Sequence, residues 1–102
     1  MKALVYTGEK KLIYQDYNDP IKNKGEEIIK INSVGICGSD MHAFLGHDER
    51  RPSPLILGHE PSGIIVGGEN DGKKVTINPL VTCGHCRFCI SSRDNLCIIR
   101  QI

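Results

Sequence analysis

Apolar and polar positions alternate over short stretches of this chain, and the stretches are separated by glycine and proline. Ala3-Leu4-Val5-Tyr6 and Leu12-Ile13-Tyr14 are two β-leaning runs around Gly8, which predicts an opening hairpin, and Asp19-Pro20 ends it. Glu26 to Val34 (EEIIKINSV) is rich in β-branched residues and predicts a longer strand that stops at Gly35. Ser39 to Leu45 predicts one or two helical turns, with Ser39 as the N-cap and Gly46 as the stop signal. Gly46 to Pro54 (GHDERRPSP) reads as a polar surface loop, and Leu55-Ile56-Leu57 returns the chain to the interior. Gly63 to Val66 and Lys74 to Ile77 predict two more strands joined through a turn over 67–72. From Pro79 onward the regular pattern gives way to cysteines. The fold expected is mostly β, a small barrel or sandwich with one short helix and a cysteine lobe over about 79–102.

Length and charge narrow the function classes. The 102 residues suit one compact domain. Thirteen Lys and Arg against twelve Asp and Glu give a net charge of +1 with the signs interspersed, so neither a nucleic-acid face nor a polybasic membrane patch is expected. Arg50-Arg51 and the lysine pairs Lys10-Lys11 and Lys73-Lys74 read as solvated loop charge. No apolar stretch approaches the roughly 18–20 residues of a membrane span, and Met1-Lys2 leads into a strand, not an apolar signal region. A cytoplasmic location is expected. With two Phe, three Tyr and no Trp, the core is modest and calls for further stabilisation.

The cysteines supply it. Cys83, Cys86, Cys89 and Cys97 form CxxCxxCx7C in loop-like sequence. Structural zinc takes four thiolates in a closed tetrahedron, and CxxC spacing presents two sulfurs from one turn of chain. Disulfide pairing is disfavoured in a reducing compartment. An iron–sulfur cluster is the more serious rival, but the bacterial ferredoxin run closes with a cysteine after three residues and then proline, whereas the gap here is seven and Ile98 follows. His85 competes poorly with four thiolates and reads as an exposed loop residue.

One cysteine is left. Cys37 follows the predicted strand in GICGSDMH, and 22 residues later comes Gly58-His59-Glu60. A thiolate, an imidazole and a carboxylate form the mixed three-ligand set that catalytic zinc uses, with the fourth position open. Taken singly, each would more often be a structural residue.

GICGSDMH, then LGHEPSGIIV, then CxxCxxCx7C closely resembles the catalytic domain of the zinc-containing medium-chain alcohol dehydrogenases, whose N-terminal part is a GroES-like β fold. The resemblance covers essentially the whole chain, and the CGSD form is most similar to the sorbitol, threonine and polyol branch. The GroES co-chaperonin shares the fold in outline but needs no cysteines. The resemblance implies that Cys37 and His59 hold a catalytic zinc, with Glu60 a direct ligand in the polyol branch or a neighbour of the metal in the alcohol branch. It implies that Asp40 orients the ligand histidine, that Ser39 meets the substrate hydroxyl, and that His42 relays the proton. Cys83, Cys86, Cys89 and Cys97 match the structural zinc ligands, while His47 matches nothing and is expected in a solvated loop.

The chemistry so implied is oxidation of a secondary alcohol or sugar alcohol to a ketone, with zinc lowering the pKa of the alcohol and hydride passing to NAD(P). The GxGxxG dinucleotide fingerprint is absent from the chain. The expectation is therefore an N-terminal piece of a zinc dehydrogenase that binds up to two zinc ions without turnover. Its partners would be a small alcohol, a dinucleotide-binding domain lying outside these residues and, in longer form, a homo-oligomeric assembly. The alternatives are a non-enzymatic zinc-binding module and an iron–sulfur electron carrier.

Overall fold

The computed structural model describes all 102 residues. Six strands, one short α-helix and two 3-10 turns build it: β1 (Lys2–Gly8), β2 (Lys11–Asp16), β3 (Ile28–Gly35), α1 (Gly38–Phe44), β4 (Leu55–Ile56), β5 (Glu60–Val66) and β6 (Lys74–Thr76), with the 3-10 turns at Cys89–Ser91 and Asp94–Leu96. The fold is mostly β with one short helix, as the alternation predicts. The strands divide between two three-stranded antiparallel sheets, ordered β2-β1-β4 and β3-β5-β6.

In the first sheet the β1–β2 hairpin slips register between Tyr6 and Gly8, the glycine at which the sequence pattern breaks. Ala3, Val5 and Tyr6 are buried there, whereas every residue of β2 is exposed. In the second sheet β3 pairs with β5 over its full length, from Ile28 opposite Val66 to Gly35 opposite Glu60. Gly63 is obligatory at the centre of this ladder. A Cβ on it would collide with the Lys30 carbonyl oxygen and approach Ile29 Cγ2 to 2.8 Å.

Two of the boundaries that differ from the sequence reading bear on the site. β5 begins at Glu60, three residues earlier than the apolar run, because Pro61 and Ser62 pair with Val34 and Ser33 although neither side chain signals a strand. The helix N-cap is Cys37 and not Ser39: the Cys37 backbone N–H donates to Asp40 Oδ2 at 3.0 Å, which closes the first turn around an acid that the sequence assigned a different task. Gly46 ends the helix as expected, at φ +77° with its N–H on the Ala43 carbonyl.

Beyond β6 no ladder holds the chain apart from a single bridge between Val81 and Gln101. No helix is long and apolar enough to cross a membrane.

Candidate metal centres

Register creates the first centre. Because Gly35 at the end of β3 faces Glu60 at the start of β5, Cys37, two residues beyond the one, meets His59, one residue before the other. The Cys37 sulfur, a His59 ring nitrogen and a Glu60 carboxylate oxygen all lie within 4.8 Å of one another. Residues separated by 22 positions thus share one corner of a sheet.

The surrounding groups bias this corner toward a cation. Hydrogen bonds from the Ser39 hydroxyl, then from the Ser39 backbone N–H and from His59, hold the Cys37 thiol below its usual range. Asp40 is buried, with one carboxylate oxygen on the Cys37 N–H. Its other oxygen, Oδ1, lies 3.2 Å from His59 Nδ1 but outside hydrogen-bond alignment, and it has no other partner although it is sealed from solvent. A small turn of the imidazole that gave Oδ1 its donor would leave Nε2 free to act as a ligand. A soft sulfur, an imidazole backed by a buried acid and a hard oxygen are a three-ligand set that fits zinc.

The second centre is the cysteine lobe. All four sulfurs lie within 4.8 Å of one another, with Cys83–Cys89 at 3.8 Å, Cys86–Cys89 at 3.5 Å and Cys83–Cys97 at 3.6 Å. Those spacings are far beyond a disulfide bond, and all five cysteines of the chain are free thiols. Four sulfurs at about 2.3 Å from a tetrahedral zinc stand about 3.8 Å apart along each edge, so the observed spacings suit that ion.

The thiols are unequal. Cys86 is brought down to about 6, chiefly by the Cys89 backbone N–H, whereas Cys89 is pushed up to about 12 by burial and by its contact with Cys86. The Cys83 backbone N–H holds Cys97 below its ordinary value. Four thiolates this close repel one another, and a dication is what lets all of them ionise together. His85 is exposed, its Nδ1 2.7 Å from the Cys83 carbonyl oxygen, and it stands apart from the four-sulfur cluster.

Ser39, His42, His47, Asp48, Glu49 and Arg50 line a cavity of about 520 Å³. Ser39 and His42, paired by the sequence reading, therefore share one cavity. His47 is exposed, as expected of a loop residue, but the loop folds back so that its backbone N–H donates to the His42 carbonyl and its ring centroid lies 6.3 Å from that of His42. Sequence reasoning missed this neighbour. The only signal for it was Gly46, whose left-handed turn reverses the chain.

Gly35 was missed as well. Its Cβ, if it had one, would land on the Glu60 carboxylate oxygen Oε2 and come within 3.1 Å of Glu60 Cβ. Its φ lies outside the left-handed region, so what the position requires is space and not backbone freedom.

Comparison with known proteins adds an independent line. Residues 23–102 match the family model of the alcohol dehydrogenase GroES-like domain. The chain is 41% identical over 103 residues to L-galactonate-5-dehydrogenase of Escherichia coli K12, covering 95% of this chain and 30% of that protein. It is 39% identical over 106 residues to sorbitol dehydrogenase of Bacillus subtilis 168, again over 95% of this chain and 30% of the relative. Among solved structures, an Escherichia coli CFT073 protein described as a short chain alcohol dehydrogenase, complexed with NADH, superposes with a TM-score of 0.86 at 32% identity. That match covers 100% of this chain and 31% of the other. The chain thus spans about 30% of the length of the relatives it matches.

Proposed function

This chain belongs to the alcohol dehydrogenase GroES-like domain family, and from that premise we propose that it forms the catalytic-domain portion of a zinc-dependent dehydrogenase oxidising a secondary alcohol or sugar alcohol to a ketone with NAD(P). The observation that supports this reading best is the convergence of Cys37, His59 and Glu60 next to a cavity lined by Ser39 and His42. The relatives named for galactonate and sorbitol act on molecules rich in secondary hydroxyls.

In this reading Cys37, His59 and Glu60 hold a catalytic zinc, and Cys83, Cys86, Cys89 and Cys97 hold a structural one. Zinc, when bound, supplies a Lewis acid that makes a hydroxyl more acidic. The chain's own groups do the rest. Asp40 fixes the His59 ring from behind. The Ser39 hydroxyl meets the substrate hydroxyl and accepts its proton, and His42, on the same cavity wall, carries that proton toward solvent. NAD(P) would sit in a dinucleotide-binding domain such as the one that, by family resemblance, makes up part of the longer relatives. Five free thiols and no disulfide suit a reducing compartment, and the cytoplasm is the location this reading carries.

The test joins this chain to the remaining two-thirds of the galactonate dehydrogenase and follows NADH formation with sugar alcohols and sugar acids. Cys37→Ser should cut turnover at least about 1,000-fold and remove one zinc, with the circular dichroism unchanged. Undiminished turnover would leave a zinc-stapled folding module as the better account. The unjoined chain is expected to bind two zinc ions and give no turnover; NADH formation by it alone would contradict the reading.

Gly35 offers a finer check. Gly35→Ala should leave folding intact but weaken zinc at the Cys37 centre by about 10- to 100-fold, as loss of a ligand-orienting contact does elsewhere. Added to Glu60→Ala, it should cost little further by calorimetric titration, since the severe clash is with the carboxylate and only the 3.1 Å approach to the Cβ of residue 60 remains.

A further inference from the structure

The sequence pairs Arg50 with Arg51 as solvated loop charge, and the structure separates them. Arg50 is 86% exposed and wraps Asp48, its Nε and Nη2 on the two carboxylate oxygens at 2.9 and 3.1 Å. Arg51 turns inward. Its side chain is only 15% exposed, its backbone N–H donates to the Asp48 carbonyl at 3.1 Å, and its Nη1 lies 3.9 Å from Oδ2 of the buried Asp48 carboxylate. The same Nη1 donates to the Ser39 carbonyl at 3.0 Å, across 12 positions of sequence.

That acceptor is an unfavourable one for a cation. Ser39 lies in the first turn of α1, where the helix dipole opposes positive charge. Asp48 supplies the counter-charge that lets the guanidinium stay there. What the contact achieves shows in the peptide group it holds. The plane joining Ser39 to Asp40 is rigid and is gripped at both ends: Arg51 donates to its carbonyl oxygen, and its N–H donates to the Cys37 carbonyl at 3.0 Å. A cation on the oxygen polarises the group and strengthens the N–H as a donor. The two side chains that flank this plane both reach the metal corner. The Ser39 hydroxyl donates to the Cys37 sulfur, while the Asp40 carboxylate takes the Cys37 N–H at 3.0 Å and stands 3.2 Å from His59 Nδ1. Ser39 and Asp48 both line the cavity of about 520 Å³, and Arg51, which ties one to the other, does not.

We propose that Arg51 is a positioning residue for the Cys37 centre: by pinning the Ser39–Asp40 peptide to the turn over 48–51, it keeps the Ser39 hydroxyl on Cys37 and the Asp40 carboxylate behind His59. The proposal rests on the reading of Cys37, His59 and Glu60 as metal ligands. Lysine at this position carries the same charge on a flexible stem, without the planar head that fixes the direction of the contact.

The test loads the full chain with cadmium-113, whose resonance distinguishes an all-sulfur site from a mixed one, and the parent should give two signals. Arg51→Met should move the signal of the Cys37 centre and leave that of the cysteine lobe in place. In competition with a chelator it should weaken zinc at the Cys37 centre about 10-fold, the lower end of what loss of a contact behind a ligand costs. The sign is diagnostic, because removing a cation near a metal would by charge alone tighten the metal. Arg50→Met takes a charge from the same Asp48 and should leave both signals and both affinities as they are. Arg51→Lys keeps the charge beside Asp48, should fold like the parent, and should recover part of the loss but not all of it; it decides the matter alone should the methionine variant fail to fold. An unmoved Cys37-centre signal in the Arg51 variants, tighter zinc, an equal effect of Arg50→Met, or movement of both signals together would each overturn the proposal. A parent chain that gives only the all-sulfur signal would overturn the metal reading of Cys37 as well, so the two failures are told apart before any variant is made.

Discussion

Cys97→Ser should yield a chain that holds one zinc ion in place of two and whose residues from Pro79 onward have no fixed conformation. The reason lies in what else orders the lobe, which is little. Its regular structure is two three-residue 3-10 turns and one isolated bridge. Most of its apolar side chains face outward, with Val81 at 64%, Ile90 at 74% and Ile98 at 69% exposure. Cys97 alone is completely buried, at the point where the other three sulfurs converge. An apparent zinc affinity of about 10–16 kcal/mol in small peptides rivals the whole net stability of a domain, about 5–15 kcal/mol. Serine keeps the volume and removes the thiolate, so the change reports ligation and not a cavity. Metal analysis should fall by one ion, and amide signals from the lobe should collapse toward random-coil positions while those of β1 to β6 persist. A second zinc retained by the variant, with a dispersed lobe spectrum, would show that packing and not ligation orders this region.

What the sequence disclosed depended on whether a feature was local. The hairpin around Gly8, the β-branched run ending at Gly35 and the helix stop at Gly46 each follow from a few adjacent residues, and each is where it was expected. The cysteine spacing was equally legible, because one turn of chain fixes which sulfurs meet. The start of β5 was not, since Glu60 and Pro61 join the sheet through partners some 25 residues back that give them a strand their own chemistry does not announce. Ser39 looked like the cap because hydroxyls usually are, yet the chain enters the helix at Cys37 and Asp40 satisfies its backbone. The role of Gly35 was invisible because it is defined by what stands opposite, the Glu60 carboxylate. Pairing of β3 with β5 is what brings Cys37 to His59, so the site was legible as a set of ligands before it was legible as a place.

Joined to the dinucleotide-binding portion of a relative, the chain should unfold at least about 10 °C higher than it does alone. A folded monomer of 11.3 kDa is expected to expose about 5,700 Å², whereas this chain exposes 7888 Å². Its radius of gyration is 15.6 Å, against about 13 Å for a compact domain of this length. Only eight residues are buried, and Tyr14, Ile21 and Ile36 stand 71%, 84% and 81% exposed. The excess, roughly 2,000 Å², is as large as a permanent protein–protein interface buries. If only half of it were apolar and became covered, the gross gain would be about 25 kcal/mol. Ordering and desolvation take back most of such a sum, but 1 kcal/mol surviving is worth about 4–8 °C in a domain this small. Calorimetry of the zinc-loaded chain, alone and joined, measures the difference directly. Unfolding temperatures within about 3 °C of each other would mean that the exposed isoleucines and tyrosines are ordinary surface, and that the two sheets and two zinc ions suffice for stability.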